Sequence, residues 1–217
     1  MSDIFREVDE EVRREQLKKL WDQYGNYLVA LAVLIVVGIG GWRAYDWWET
    51  RKAAEAGAAF ENALTLSEQG KHAEAEVALA KLAAEGTAGY RALARMREAA
   101  ELASRDPQAA VKAYDALAAD PSLGRVLQDL AALRAGMLLA DSGPYGEVQR
   151  RLEPLTASDR PFRHTARELL ALAAWRAVDT AAAQRWFQMI ITDPTTPLAT
   201  RGRIEMLMAL TTADGKG

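Results

Sequence analysis

Residues 23–42 read QYGNYLVALAVLIVVGIGGW, and none of these twenty residues carries a charge. Ten consecutive aliphatic residues, Leu28 to Val37, form the centre of the run. An α-helix rises about 1.5 Å per residue, so a helix of this length measures about 30 Å, the thickness of a bilayer's hydrocarbon core. The run therefore predicts a single membrane-spanning helix near the N-terminus.

Aromatic residues lie on both sides of the aliphatic centre. Trp21, Tyr24 and Tyr27 precede it, and the residues that follow it are Trp42, Tyr45, Trp47 and Trp48. Tyr and Trp are enriched at the two levels where a helix passes the lipid headgroups. The flanks therefore support the prediction of a span.

A cleaved signal peptide is the main alternative to a retained anchor. Such a peptide needs a short basic leader and small residues at a processing site behind the apolar run. Here 22 residues precede the run, five basic and seven acidic, and bulky aromatic residues follow it. Gly38-Ile39-Gly40 offers only a weak processing site, so we expect the run to remain in the protein.

Basic residues beside the run predict its orientation. Those within 15 residues before it are Arg13, Arg14, Lys18 and Lys19, and those within 15 residues after it are Arg43, Arg51 and Lys52. Basic residues favour the cytoplasmic side, and a long C-terminal domain can cross the membrane whatever its charge. We expect the N-terminus in the cytoplasm and the C-terminal domain outside it.

Composition excludes several classes of function. The net charge of -3 divides into -2 before the run (5 basic, 7 acidic) and -1 after it (22 basic, 23 acidic). Neither part therefore predicts a basic surface for nucleic acid. The chain has no cysteine, which removes disulfides and thiolate metal sites but is compatible with either compartment.

The remainder of the chain predicts an all-α fold, because it is rich in Ala, Leu, Glu, Arg and Gln, which favour helices. Gly, Pro and capping residues interrupt the helical pattern at intervals and delimit segments of about 12–20 residues. We predict a cytoplasmic segment at 1–22, a transmembrane helix at 23–42, a helix leading into the first repeat at 43–69, and helical repeats at 70–217.

A repeated pattern of three residues supports this reading. Each copy begins with a small or short side chain. A large side chain follows four residues later, and another apolar one follows three residues after that, which places all three on one helical face. The copies are Ala75, Leu79, Leu82; Ala110, Tyr114, Leu117; Val148, Leu152, Leu155; and Ala183, Phe187, Ile190. Their starts are 35, 38 and 35 residues apart. Chance matches are common in Ala- and Leu-rich helices, but a shared period across four copies favours a true repeat.

Each copy is expected to be the second helix of an antiparallel pair. Twelve residues before the four starts lie Ala63, Glu98 with Ala99 beside it, Gly136 and Ala171. Small residues there would let the first helix of each pair approach the second closely. Four helix pairs follow, with a terminal apolar helix from Leu198 to Leu210 as a cap. The predicted ligand-facing positions on the first helices are Leu66, Leu102, Leu139 and Leu170.

The repeat pattern is similar to that of tetratricopeptide repeats. The second helices carry the small, then large or aromatic, then apolar series, and Pro121 and Pro194 lie near the ends of units. The Trp, Leu-Gly and Tyr positions of the first helix are mostly missing, and the third copy has Val148 in place of Ala and Pro154 inside its second helix. The resemblance implies an α-solenoid that binds polypeptides.

The layout of the whole chain resembles the bacterial ancillary subunit of the Sec translocon. The features shared are a short charged N-terminus, one span that ends in Gly38-Ile-Gly-Gly41-Trp42-Arg43, a following Tyr45-Asp-Trp-Trp48, and a small degenerate repeat domain. The resemblance implies a single-pass inner-membrane protein whose periplasmic domain contacts translocating chains or periplasmic chaperones near the Sec channel.

The glycines of the span have two possible readings. Gly38, Gly40 and Gly41 do not form a phosphate-binding loop, because no strand precedes them and no Lys-Ser/Thr follows. Gly40 and Ala44 have the small-xxx-small spacing that lets membrane helices approach each other. This pattern indicates either contact with a partner helix or a glycine cluster that the span merely tolerates.

No pattern of catalytic or cofactor-binding residues is visible. His72 and His164 lie in different segments without ligand spacing, and no Ser lies in a Gly-x-Ser-x-Gly turn. We therefore predict a non-enzymatic protein without a cofactor, which acts as a membrane-anchored adaptor for protein interactions. The alternative is a self-associating envelope scaffold, so a homo-oligomer is possible.

Overall fold

The chain is helical throughout the part that the structure describes. A computed structural model describes the backbone of residues 3–214 and the side chains of Lys18 and residues 21–209. No β-strand occurs in this range, which confirms the all-α prediction. The side chains of nearly all of the predicted N-terminal segment, residues 1–22, lie outside the described residues.

Nine α-helices follow one another between residues 3 and 214. They are α1 (Asp3–Glu68), α2 (His72–Glu85), α3 (Ala88–Ala103), α4 (Pro107–Ala118), α5 (Gly124–Ala140), α6 (Tyr145–Leu152), α7 (Arg163–Arg176), α8 (Thr180–Thr192) and α9 (Leu198–Asp214). Short 3-10 turns at Pro121–Leu123 and Glu153–Leu155 follow α4 and α6.

Two compact units make up the chain, the first ending at Glu55 and the second beginning at Ala56. This boundary lies inside the predicted leading segment, residues 43–69. The first unit holds the apolar run, whose aliphatic side chains are all exposed. Among the described helices, only the part of α1 from Trp21 to Glu68 is long and apolar enough to cross a membrane.

The second unit is a series of antiparallel helix pairs. The end of α1 pairs with α2, α3 with α4, α5 with α6, and α7 with α8, while α9 packs against α7 and α8. One apolar cluster joins the end of α1, α2 and the start of α3. A larger one extends from Ala99 of α3 through the remaining pairs to Ile204 of α9.

Local chemistry determines where several helices begin. Asp106 precedes α4 and its carboxylate accepts the N–H of Ala109 at 2.9 Å, with Pro107 at the first helical position. Asp179 accepts the N–H of Ala182 at 3.0 Å in the same way before α8. Such caps satisfy backbone donors that have no partner within the helix.

The third pair differs from the predicted pattern. α6 ends at Leu152, and Leu155 lies in the following 3-10 turn rather than on the same α-helical face. Pro154 has no N–H to donate and cannot continue the helix ladder, which explains the early end. Leu155 is nevertheless buried, so the turn still delivers it to the core.

Gly136 marks a close approach between α5 and α6. A Cβ atom built on Gly136 would lie 2.6 Å from Leu152 Cγ, far inside van der Waals contact. Leu152 is fully buried, so its side chain has little room to turn away. The third pair therefore depends on the absence of a side chain at position 136.

We predict that Gly136→Ala destabilises the full chain by about 1–2 kcal/mol, because overpacking outweighs the higher helix propensity of alanine. Gly202→Ala is the matched control, since Gly202 lies within α9 and a Cβ there would meet nothing within 4 Å. The control should be neutral or gain up to about 1 kcal/mol. Denaturant unfolding in detergent micelles measures both changes in stability. Equal effects of the two substitutions would contradict the conclusion that the third pair needs a residue without a side chain at position 136.

Val178 holds a backbone conformation that valine rarely adopts. Its φ is 59°, and the N–H of Asp179 reaches the carbonyl oxygen of Ala174 at 3.0 Å to close the end of α7. Gly70 has φ 76° at the corresponding turn after α1, where Lys71 N–H bonds to the carbonyl oxygen of Leu66 at 2.9 Å. Glycine makes this turn without strain, whereas a β-branched residue does not.

We predict that Val178→Asn stabilises the chain by about 1 kcal/mol, because Asn tolerates the left-handed region better. The valine side chain is 84% exposed, so its removal sacrifices little burial. The reciprocal Gly70→Val should destabilise by about 1–2 kcal/mol. Thermal unfolding of the two variants and the parent measures these changes in stability. A loss of stability in Val178→Asn would refute the claim that the backbone is strained at Val178.

Candidate binding surface

The repeat-pattern residues lie in the interior of the helix pairs. All twelve are buried. They are Ala75, Leu79, Leu82, Ala110, Tyr114, Leu117, Val148, Leu152, Leu155, Ala183, Phe187 and Ile190. The small positions on the first helices, Ala63, Ala99, Gly136 and Ala171, are buried as well. These residues hold helices together and present nothing to a ligand.

The predicted ligand-facing leucines are placed differently from one another. Leu66 and Leu102 are partly exposed, whereas Leu139 and Leu170 are buried in the larger cluster. The prediction of a ligand-facing position is therefore wrong for these two, because their side chains are buried in the larger apolar cluster.

Other apolar residues on the first helices do reach the surface. Leu93 of α3, Met137 of α5 and Trp175 of α7 are each about two-fifths exposed. They lie on the first helices of three successive pairs. Exposed apolar side chains of this size are a common feature of protein-binding surfaces.

The small residues of the apolar run are open on the surface of the single chain. A Cβ atom on Gly38, Gly40 or Gly41 would meet nothing within 4 Å, and Ala44 is exposed. A neighbouring helix could therefore approach here without a steric barrier. Partner contact at these positions stays a prediction.

A cleft in the second unit lies where α4, α5 and α6 meet. Its volume is about 530 Å³. The lining residues are Asp115, Ala118, Arg125, Gln128, Asp129, Ala132, Arg150, Arg151, Pro154, Leu155 and Arg160. We call this cleft the arginine groove, because four of its residues are arginines.

A bridge between two second helices forms one wall of the arginine groove. Arg151 of α6 donates to both carboxylate oxygens of Asp115 in α4, at 2.8 and 2.7 Å, and also to Glu147 at 2.7 Å. The bond from Arg151 lowers the pKa of Glu147, and the bond to Asp115 raises the pKa of Arg151. Such bidentate pairing fixes the guanidinium in one orientation.

A second arginine pair closes the floor. Asp129 of α5 is buried, and both of its carboxylate oxygens accept from Nη1 of Arg160 at 2.8 Å. A buried carboxylate without such a partner would be costly, so this pair holds the 156–162 loop against α5. The floor is therefore set by a long-range ion pair rather than by apolar packing.

The rim carries two arginines that are much more exposed. Arg125 contacts Asp159 at 3.2 Å, and Arg150 contacts Glu147 at 2.7 Å. Their side chains are 64% and 66% exposed. Exposed pairs of this kind contribute about 0–1 kcal/mol, so these guanidinium groups can exchange partners readily. Arg150 also lies in the last turn of α6, where a cation is favoured by the helix dipole.

A smaller cleft of opposite character lies between α2, α3 and α4. Its volume is about 320 Å³, and the charged groups that line it are Glu76, Arg95 and Glu98. Burial and the nearby carboxylate of Glu76 raise the pKa of Glu98. The two clefts therefore differ in their lining, with four arginines in the arginine groove and one in this cleft.

The arginine groove was not predicted from the sequence. Its pairs join residues 36 apart (Asp115 and Arg151), 34 apart (Arg125 and Asp159) and 31 apart (Asp129 and Arg160). These separations are close to the repeat period. A search for opposite charges one period apart could have indicated the pairs, but not the cleft between them.

A family comparison agrees with this architecture. The family described as a tetratricopeptide repeat-like domain matches residues 18–191. The chain belongs to this family. No curated protein and no solved structure gives a significant match to the chain. The predicted resemblance to tetratricopeptide repeats is confirmed at the level of the domain.

Among the residues that the structure describes, no three His, Asp or Glu side chains converge as a metal site would require. His72 bonds to Glu101 through Nδ1 at 3.1 Å, and burial lowers the pKa of His164, which lies near Thr195 and Thr196. Each histidine thus has its contacts in a separate helix junction.

Asp120 organises the connection between the second and third pairs of the domain, beside the arginine groove. It accepts from Ser122 Oγ at 2.6 Å and backbone N at 3.0 Å, and from Arg95 Nη1 at 2.6 Å. These bonds lower the pKa of Asp120 from 3.8 to about 2, with the largest effect from Ser122 and the next from Arg95. Gln128 also donates to its backbone carbonyl at 3.1 Å.

We predict that Asp120→Asn reduces the acid sensitivity of the domain. Because the pKa of Asp120 is lower in the folded state, its stabilising effect is complete above its ordinary value of 3.8 and is lost as the pH falls towards about 2. The denaturation midpoint should therefore change less between pH 5 and pH 2.5 in the variant than in the parent.

Glu205→Gln in α9 removes another exposed carboxylate and serves as the control. It should leave the pH dependence of the parent largely intact. An unchanged pH dependence in Asp120→Asn would show that this hydrogen-bonded turn does not couple to unfolding.

Proposed function

We propose that this protein is a membrane-anchored, non-enzymatic adaptor that binds polypeptides through its tetratricopeptide repeat-like domain. Family membership carries the proposal, since the match begins at residue 18 and includes both the apolar run and the helix pairs. Repeat domains of this class expose extended surfaces for protein partners. The run that we propose as the anchor and the helix pairs thus lie within one family match.

The exposure of the apolar run supports its proposed role as the anchor. Leu34, Val36 and Val37 are each about two-thirds exposed, and none of the apolar window is buried by the rest of the described chain. Soluble proteins rarely leave contiguous apolar patches larger than a few hundred Å² exposed. A bilayer covers such a surface on all sides of the helix at once, whereas a single partner helix covers one side.

The distribution of aromatic residues around the exit of the run agrees with this proposal. At 100° per residue, Tyr45 and Trp48 lie on one side of the helix and Trp47 on the other. Lys52 Nζ lies 3.6 Å from the ring centre of Trp48, and the guanidinium of Arg51 lies 5.4 Å from that of Trp47. Aromatic rings around the whole circumference suit a headgroup layer better than a one-sided interface.

The surface for polypeptides involves the first helices of the pairs in this proposal. Leu93, Met137 and Trp175 are each about two-fifths exposed there. A tether to the membrane raises the local concentration of such a surface near membrane partners, so weak individual contacts become effective.

The resemblance in layout extends the proposal to a location and to partners. We place the N-terminus in the cytoplasm and the repeat domain in the periplasm of a bacterial inner membrane. The partners would be the Sec translocon, polypeptides that leave it, and periplasmic chaperones. The adaptor would hold these partners near one another without chemical change.

Photocrosslinking in cells tests the partners. A photoreactive amino acid at Leu93, Met137 or Trp175 should capture a Sec component or an exported polypeptide, because these side chains are exposed on the first helices. Val77 of α2 is 72% exposed on a second helix and provides the control position. Capture from Val77 alone, or of no Sec component or exported chain from any position, would contradict the proposal.

Two further measurements test the orientation of the span and the alternative of a self-associating scaffold. A reporter active only in the cytoplasm should fail when fused after Gly217. Light scattering of the full chain in detergent should give a monomer, whereas a stable oligomer that Gly38→Leu, Gly40→Leu and Gly41→Leu together dissociate would favour the scaffold.

A further inference from the structure

We propose that the cleft between α2, α3 and α4 binds a basic side chain, Lys or Arg, of a polypeptide partner, with Glu98 as the counter-ion. We call it the Glu98 cleft, and the charged residues that line it are Glu76, Arg95 and Glu98. The assignment rests on the proposed adaptor function, because it names one kind of side chain in the polypeptide that the domain would bind.

Glu98 is the charge in this cleft that has no partner. Among the described residues it makes neither a hydrogen bond nor an ion pair. Three arginines close to it in the sequence bond to other carboxylates: Arg95 to Asp120 at 2.6 Å, Arg105 to Glu76 at 2.6 Å, and Arg97 to Glu101 at 2.8 Å. When these pairs are counted, the lining of the cleft keeps one uncompensated negative charge.

The surroundings of Glu98 disfavour its charged form. Burial first, and the carboxylate of Glu76 second, raise the pKa of Glu98, while Arg95 in the preceding turn of α3 lowers it. The part of the lining that comes from α4 is uncharged. A carboxylate in such a place lowers the stability of the folded state at neutral pH. A cation supplied by a partner would offset this effect, which is why an unpaired carboxylate in a cleft indicates a binding role.

The apolar part of the lining suits the stem of a long basic side chain. It consists of Ala99, Leu102, Ala113, Ala116 and Leu117. Lys and Arg bury their aliphatic stems along apolar surface and keep the charged end at a polar group. The volume of about 320 Å³ accommodates one such side chain with part of its backbone. Leu102, one of the predicted ligand-facing residues, is partly exposed here.

A metal ion fits the Glu98 cleft less well than a basic side chain. Calcium usually takes about six to eight oxygen ligands. Only two carboxylates line the cleft, and Glu76 already accepts from Arg105. A single free carboxylate is instead sufficient for one guanidinium or ammonium group, which donates two or three hydrogen bonds to it.

Fluorescence anisotropy with the full chain in micelles of a non-ionic detergent tests the site. The probe is a labelled peptide of Ala, Ser and Leu with blocked ends and one central Arg, and its partner has Gln in place of Arg. The Arg peptide should bind at least about five-fold more tightly, because it gains a charged hydrogen bond at Glu98. Equal binding of the two peptides would overturn the proposal.

Glu98→Gln locates the interaction, since it removes the charge and keeps the size of the side chain. It should lower the affinity for the Arg peptide to that for the Gln peptide and leave the latter unchanged. Glu85→Gln is the matched control, because Glu85 is exposed at the end of α2 and does not line the cleft. It makes the same change in net charge and should alter either affinity less than about two-fold.

Stability and pH provide two further readouts. Glu98→Gln should unfold at an equal or higher denaturant concentration than the parent, because it removes an unfavourable charge. The preference for the Arg peptide should be complete at pH values well above the pKa of Glu98 and should disappear as the pH falls through it, since a bound cation favours the carboxylate. A large loss of stability in Glu98→Gln would show that Glu98 serves the fold and would refute the site.

The remaining outcomes separate this site from the adaptor function. Equal losses of affinity in Glu98→Gln and Glu85→Gln would show a general effect of charge and refute the site. Equal binding of the two peptides, with photocrosslinking from the first helices intact, would refute the site and leave the adaptor function standing. Binding of Mg²⁺ that depends on Glu98, without a preference for the Arg peptide, would assign the cleft to a metal ion and also refute the proposal.

Discussion

Close contact between the two helices of each pair is the constraint on which the repeat domain depends. Gly136 shows it most directly, because a single added carbon would overlap the buried side chain of Leu152. Ala63, Ala99 and Ala171 are likewise buried on the first helices of the other pairs. Small residues at these positions allow large ones such as Leu152 to fill the space between helices, so that each pair becomes a compact unit that can stack on the next.

Stacking brings polar residues from neighbouring pairs together about one repeat period apart. Asp115 and Arg151 are separated by 36 residues, and Glu168 and Arg203 by 35. Pairs of this kind hold successive units in register, and the same geometry creates the arginine groove between α4, α5 and α6. The ion pairs of the groove differ in burial, and an exposed pair such as Arg125–Asp159 loses little when water replaces its partner.

The first unit poses a different physical problem. Its apolar side chains are exposed around the whole helix and find no cover within the described chain. The second unit, by contrast, buries its own apolar residues in two clusters. The membrane tether that we propose would explain why one chain contains both units, and a tether makes weak binding surfaces effective by keeping them near their partners.

Periodicity and composition by themselves determined the helical class, the twelve pattern residues and the apolar run, because these depend on which side chains recur at helical spacing. Sequence alone misplaced Leu139 and Leu170, which are buried in the larger apolar cluster rather than exposed to a ligand. It also did not foresee that Pro154 would move Leu155 into a 3-10 turn. Only the tertiary structure decided the arginine groove, since its walls are built by side chains about 31–36 residues apart whose meeting depends on how the pairs stack.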